Sequence, residues 1–254
     1  MKLSLSDHKP AFYHSHHIRH LEDLPHWSGL AQSKGDPILE LGCGTGRVLL
    51  HLAQAGYETI GIDKSRSMLS YLQQNLPKEL KPLPKLVQSD MSAFRLAIRF
   101  PLILLPCNTL STLSNSVRKK TIENVARHLV KGGCYSFSIP NPAALNRLPA
   151  YGESEVEEIF SHPSDGEPVQ VSSAWERNSE EFILRWHYDH LLPDGKVKRY
   201  TVQVSHSILP IHMYMDEIHA AGLKVEEVYG DFDHSPYTNR SPSFILAAVL
   251  PEEL

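Results

Sequence analysis

The stretch Glu40-Leu41-Gly42-Cys43-Gly44-Thr45-Gly46-Arg47 places three glycines between an apolar run and a segment of helical spacing. Glycine allows a tight turn and lets a ligand come close to the backbone. The first turn of a helix behind such a loop presents free N–H groups and a partial positive charge, which suits a carboxylate or a phosphate. Arg47 stands in that first turn, where the helix dipole disfavours a cation. Its placement hints at an anionic ligand, with a solvated side chain as the plain alternative. The spacing narrows the ligand further. A dinucleotide loop needs G-x-G-x-x-G, and Arg47 occupies the place of the third glycine. Glu40, two residues ahead of the first glycine, would repel a pyrophosphate but suits a ligand with a cationic amino-acid end. Asp63 ends the next apolar run, where an adenosine ribose presents its hydroxyls in nucleotide-binding α/β folds. Asp90 ends the run after that.

These residues need a scaffold that brings strand ends to one edge. Ile38–Leu41 reads as a strand, Arg47–Gln54 as a helix stopped by Gly56, and Tyr57–Ile62 as a second strand. Ser65 looks like an N-cap, with Met68, Leu69, Leu72 and Leu76 as the apolar stripe behind it and Pro77 as the stop. Lys85–Ser89 and Leu102–Leu105 read as strands three and four. Ile122, Val125, Ala126, Leu129 and Val130 give a helical stripe closed by Gly132-Gly133, and Cys134–Ile139 is a fifth strand. Strands alternating with helices predict a parallel sheet covered on both faces. After Pro142 the pattern changes. Residues 143–168 read as loop and short helix. From about 169 antiparallel strands are expected, with Phe182, Leu184, Trp186 and Tyr188 alternating along one of them and a hairpin turn at Pro193-Asp194-Gly195. A helix over Met213–Ala221 and strands over Val225–Tyr229 and Phe244–Leu250 complete the chain, and Leu21–Ala31 suits a helix before the first strand.

The motifs together, Glu40 to Arg47, then Gly61-Ile62-Asp63-Lys64-Ser65 with Met68-Leu69, then Ser89-Asp90-Met91, resemble those of the class I S-adenosylmethionine (SAM)-dependent methyltransferases of small-molecule type. Their order and spacing match over roughly residues 36–140. The loop Tyr229-Gly230-Asp231-Phe232-Asp233 and the antiparallel insert are similar to those of small-molecule members. The resemblance implies a Rossmann-like, seven-stranded, mostly parallel sheet with helices on both faces and an antiparallel β insertion after strand five. It implies four regions: a lid segment (1–35), the SAM-binding core (36–142), an insert facing the substrate (143–210) and the end of the core sheet (211–254). It also implies roles. Glu40, Gly42, Cys43, Gly44, Gly46 and Arg47 would face the methionine part of SAM, and Asp63, with Lys64 beside it, the ribose hydroxyls. Asp90 and the Met91 backbone would face the adenine, and Met68 the purine, with core packing as its alternative. Cys107 and Asn108 would line the methyl-transfer region, and the lid, with Tyr13, would close over the cofactor. One departure is Phe100-Pro101-Leu102, where many relatives carry an aspartate early in the fourth strand.

A base is needed only if the acceptor must lose a proton, and histidine suits that near neutral pH. Of 15 histidines, the catalytic candidates are His16, His17 and His187. Trp27, Tyr214, Asp231 and Asp233 are candidates for substrate contact; packing or a charged surface loop is their plain alternative. Alternation sends His187 to the face opposite Trp186 and Tyr188. His16 and His20 are four apart, but no carboxylate or cysteine completes a ligand set, and no metal is expected. The expected function is transfer of a methyl group from SAM to N or O of a small molecule. The alternatives are a non-catalytic SAM-binding or scaffolding protein and, opposed by Glu40 and Arg47, an NAD-dependent dehydrogenase.

Composition fits this. The chain has 254 residues, 25 Lys+Arg against 29 Asp+Glu (net −4), 41% hydrophobic and 21% charged residues, as a globular protein with a core requires. The absence of a basic surplus argues against a nucleic-acid partner. No apolar run is long enough for a membrane helix, and the first residues lack a signal-peptide core. Cys43, Cys107 and Cys134 cannot pair evenly, as expected for reduced thiols in the cytoplasm. An exposed edge strand of the insert is a candidate surface for a homodimer.

Overall fold

The computed structural model describes residues 10–252; the first nine residues, where no signal-peptide core is expected, and the last two lie outside them. The chain runs α1 (Pro10–His17), α2 (Leu24–Lys34), β1 (Ile38–Leu41), α3 (Arg47–Gln54), β2 (Thr59–Asp63), α4 (Arg66–Gln74), β3 (Lys85–Gln88), β4 (Phe100–Leu105), α5 (Asn115–His128) and β5 (Leu129–Pro140). A short α6 (Pro142–Leu145) leads into β6 (Tyr151–Ser161), β7 (Pro168–Arg177), β8 (Glu181–Leu191) and β9 (Val197–Ser207). Then come α7 (Ile211–Ala220), β10 (Lys224–Tyr229) and β11 (Ser243–Val249). The main sheet has seven strands in the order β10-β11-β5-β4-β1-β2-β3, and β6-β7-β8-β9 form a separate four-stranded sheet. In the main sheet β11 alone runs against its neighbours. The expected architecture, a doubly covered Rossmann-like sheet with an antiparallel insert after strand five, is what the chain adopts.

Alternation along the central strands divides the core in two. Leu39, Leu41, Ile103 and Leu105 point to the face covered by Ile122 and Val125 of α5 and Ile218 of α7. Ile38, Leu102 and Leu104 point to the opposite face, covered by Trp27 of α2 and Val48 and Leu52 of α3. Crossover order puts the ends of β1, β2 and β4 on one edge, where ligands bind in such sheets. At that edge Ser65 caps α4, its hydroxyl accepting the Met68 N–H at 3.4 Å.

Four local expectations are corrected. A helix α1 precedes the predicted one, which itself starts later, at Leu24. The stripe through Leu129 and Val130 is helical only to His128: Leu129 is already extended (ψ 144°) and pairs with Phe100. Gly132-Gly133 therefore marks a strand irregularity. A Cβ on Gly133 would stand 2.9 Å from the Phe100 carbonyl, and glycine is what such close approach allows. Finally, the Glu-rich stretch read as loop contains β6, an exposed edge strand whose charges are a common protection for free edges.

Candidate active site

The turn after β1 is built from backbone conformations that favour glycine. Gly42, Gly44 and Gly46 have φ of 68°, 54° and 87°. A Cβ on Gly46 would lie 2.5 Å from Leu72, and one on Gly61 2.7 Å from the Cys43 sulfur. Cys43 thus fills the space beneath the turn, packed with Leu49, Leu69 and Leu72, and offers the cofactor edge its backbone only. Asp63, half-buried at the end of β2, accepts the Gly44 N–H (Oδ2, 2.9 Å) and the Ser65 N–H (Oδ1, 2.7 Å), and burial raises its pKa. The Met91 methyl lies 3.5 Å from where a Gly42 Cβ would be. Asp90 is exposed and accepts both the N–H and O–H of Ser92 through Oδ1. Lys64 is exposed, and Met68 is buried under the same edge.

Glu40 is the unusual group. It is buried, and its Oε2 has no hydrogen-bond partner. Burial pushes its pKa up to about 8, against the opposing pull of Arg47. A buried carboxylate oxygen without a partner is costly. Beside a glycine turn that leaves the backbone open, it is the feature a ligand's ammonium group would satisfy. On this observation the residues fit SAM, and they do not fit a pyrophosphate.

Arg47 already has a carboxylate partner. Its guanidinium donates to both oxygens of Asp23 (2.5 and 2.6 Å) and to the His20 carbonyl (2.6 Å), and lies 3.2 Å from the Cys107 sulfur. Asp23 also accepts the Trp27 indole N–H at 2.8 Å. Asp23 sits at the N-cap of α2 but makes no side-chain cap; its carboxylate is occupied by this clamp. Fully buried Trp27 therefore supports Asp23 and does not touch the cavity.

Beside Arg47 and the end of β4 lies a cavity of about 520 Å³. Its floor is Cys107 and Asn108, both in left-handed backbone (φ 58° and 59°) after β4. Tyr13 and His17 of α1 close one side, and Phe182, Leu184 and Trp186 of β8 form an apolar wall. His17 packs edge-on to Trp186; burial lowers its pKa to about 3, with the neighbouring His16 adding to the shift. Beside the wall stands His206 of β9. Ser111 Oγ gives its one proton to the Asn108 carbonyl (2.8 Å) and lies 2.8 Å from His206 Nδ1. His206 Nδ1 must therefore be the donor in that pair, which leaves Nε2 unprotonated. Burial lowers the pKa of His206 to about 4, so the ring is neutral near pH 7. The group lining the cavity is a fixed neutral imidazole with a free lone pair.

The other candidates lie elsewhere. His16 is buried beside the cavity, its Nδ1 2.9 Å from the Tyr188 hydroxyl and its Nε2 3.2 Å from Glu157, pinning α1 to the insert. His187 faces away from the cavity and bonds Thr201. Tyr214 is buried in the core beneath Arg118, which Glu217 pairs at 2.7 and 2.8 Å. Asp231 and Asp233 cap their own loop, accepting the N–H groups of Phe232 and Ser235; of that loop it is Phe232 that lines the cavity. Sequence reading missed Asp23 and His206. The alternation that marks Val202 and Val204 also places His206 on the inner face, whereas nothing local links Asp23 to Arg47.

Residues 38–133 match the family described as "Methyltransferase domain". The chain carries a methyltransferase domain of the class I SAM-dependent type. This methyltransferase is 26% identical over 216 residues to the cypemycin N-terminal methyltransferase of Streptomyces sp, covering 84% of this chain and 82% of the relative. Among solved structures, a SAM-dependent methyltransferase from Clostridium acetobutylicum superposes with a TM-score of 0.77 at 18% identity, covering 94% of this chain and 98% of the other. The sugar N-methyltransferase KedS8 from Streptoalloteichus sp does so with 0.73 at 18% identity, covering 95% and 92%. Among the described residues no helix is long and apolar enough to cross a membrane.

Proposed function

We propose that this methyltransferase acts on a nitrogen of a small molecule that buries an apolar face against β8, with His206 accepting the N–H of that nitrogen and orienting it. The observation that carries this reading is the neutral His206, its tautomer fixed by Ser111, at a cavity walled by Phe182, Leu184 and Trp186. Two similar proteins bear names that specify a nitrogen acceptor, one a peptide N-terminus and one a sugar.

In this reading Glu40, beside the glycine turn, holds the ammonium of SAM, while Asp63 and Asp90 hold its ribose and adenine. When bound, the cofactor supplies a methyl group made electrophilic by its sulfonium. The protein's part is orientation. The amine binds as its free base; His206 Nε2, unprotonated near neutral pH, accepts its N–H and directs the nitrogen lone pair at the methyl, and the proton carried by the methylated product leaves to solvent. Tyr13 and His17 close the cavity from the lid side and keep it dry. A non-catalytic SAM binder would have its acceptor pocket filled, and this cavity is open.

The test measures SAM binding by calorimetry and release of S-adenosylhomocysteine across a panel of small amines, including amino sugars and peptides with free N-termini. His206→Ala is expected to lower kcat/KM about 10-fold, the loss of one net hydrogen bond to the acceptor, with SAM affinity unchanged. Binding of SAM with no turnover on any amine or hydroxyl compound would instead favour the non-catalytic reading.

A further inference from the structure

A second cluster of ionisable groups lies outside the cavity, at the far end of the insert sheet. His162 follows β6, Asp165 sits at the tip of the turn to β7, and His190 lies near the end of β8. The turn is held by its own backbone: the His162 N–H donates to the Glu167 carbonyl (2.7 Å) and the Gly166 N–H to the His162 carbonyl (2.9 Å). Glu167 N–H also donates to Asp165 Oδ1 at 3.1 Å, which aims the carboxylate inward. Val169 pairs with His190, so the strand register brings the second imidazole to the same place.

We propose that His162, Asp165 and His190 form a structural site for a divalent, nitrogen- and oxygen-preferring cation such as zinc. Asp165 Oδ1 lies 2.9 Å from His162 Nδ1 and 3.3 Å from His190 Nε2. The ligand atoms all fall within 4.8 Å of one another. Zinc bonds of about 2.0–2.2 Å in a tetrahedron separate ligand atoms by roughly 3.3 Å, so the spacing of the ligand atoms suits the ion and the ring orientations are what must change. The two rings are stacked, 4.2 Å apart and 11° from parallel, so each must turn about its Cβ–Cγ bond to bring an in-plane lone pair onto a shared ion; the nitrogens already face one carboxylate oxygen. The Ser164 N–H is directed at His162 Nδ1 (3.3 Å), a long contact that this nitrogen gives up when its lone pair turns to the metal. Both histidines are buried, while Asp165 is exposed and leaves a path for entry and for a water as fourth ligand.

The site would stiffen the socket of the lid. Phe12 of α1 packs edge-on against His162 (5.0 Å) and His190 (6.3 Å) and stacks on Tyr188 (5.8 Å). A cation tying the β6–β7 turn to β8 fixes the surface on which α1 rests. The other histidine group, His16, His17 and His20, is different: both nitrogens of His16 are engaged by Tyr188 and Glu157.

The test uses the untagged full chain, stripped with a chelator and titrated with zinc chloride by calorimetry and with cobalt(II) by visible absorption. One equivalent of zinc is expected to bind, with the intense absorption of four-coordinate cobalt. Asp165→Ala, an exposed turn substitution that leaves the fold intact, and His190→Ala should each weaken binding at least tenfold; His20→Ala should leave it unchanged. Zinc should raise the Tm of the native sequence but not of Asp165→Ala. Absence of saturable zinc binding, or binding retained by both Asp165→Ala and His190→Ala, or binding lost in His20→Ala, would overturn the site.

Discussion

The glycine-turn edge and the cavity wall, with Arg47 at the boundary between them, are made differently. The edge consists of local backbone and the acids it places: three left-handed glycines and acids at successive strand ends, all within one run of β-α-β units. The wall consists of side chains from α1, β8, β9 and the last loop, gathered by tertiary packing over long sequence distances. The Asp23–Arg47 clamp joins the two. Chemistry common to a family can be fixed in backbone, while an acceptor pocket that must vary is left to side chains on an insert.

The two halves should respond oppositely to pH, and in total this is the largest effect expected. His17 and His206 have pKa values lowered to about 3 and 4 by burial. In each, the unfolded chain binds more protons than the native one below 6.5. Their stabilising contribution is full above that pH and is lost as pH falls through their native values. Glu40 is raised to about 8, so its contribution is full below about 4.5 and is lost as pH rises through 8. Urea denaturation from pH 4 to 9 should show both limbs, amounting to several kcal/mol in sum. Glu40→Gln should flatten the alkaline limb only.

Next comes the clamp. Removing one member of a nearly buried ion pair costs about 3–5 kcal/mol. Asp23→Ala should lose stability of that order and weaken turnover through loss of lid position, read by denaturation and by steady-state kinetics. A change under about 0.5 kcal/mol would mean that the halves are not joined there. The smallest effect belongs to the edge alone: Asp63→Ala should weaken SAM binding by at least about 1.5 kcal/mol, the contribution of a charge-assisted hydrogen bond, and leave the His206-dependent pH profile of bound-enzyme turnover in place. Calorimetry and a kcat profile check both parts.

The same contrast explains what could be read from sequence. The edge was legible because its causes are local: Gly42, Gly44 and Gly46 are needed by their own φ angles, and Asp63 and Asp90 end adjacent apolar runs. Arg47 to Gln54 was delimited correctly for the same reason. The wall was not. His206 acquires its role from Ser111, 95 residues away, and Asp23 from Arg47, 24 residues away. Trp27 and Tyr214 carry large aromatic rings that suit a pocket or a core equally, and only the packed structure assigns them to the core. Strand β6 escaped because an edge strand with glutamates on it lacks the alternation of a half-buried strand.

The central claim is that the unpartnered Glu40 carboxylate receives the cationic end of SAM. Its most direct test is calorimetric titration with SAM at pH 7 in buffers of different ionisation enthalpy. With a pKa of about 8 in the free protein, Glu40 starts protonated, and pairing with an ammonium must expel that proton. The expected result is release of most of one proton by the native sequence, absent in Glu40→Gln, which also binds at least tenfold more weakly. Equal proton release and equal affinity in the two proteins, or no binding of SAM at all, would contradict the account.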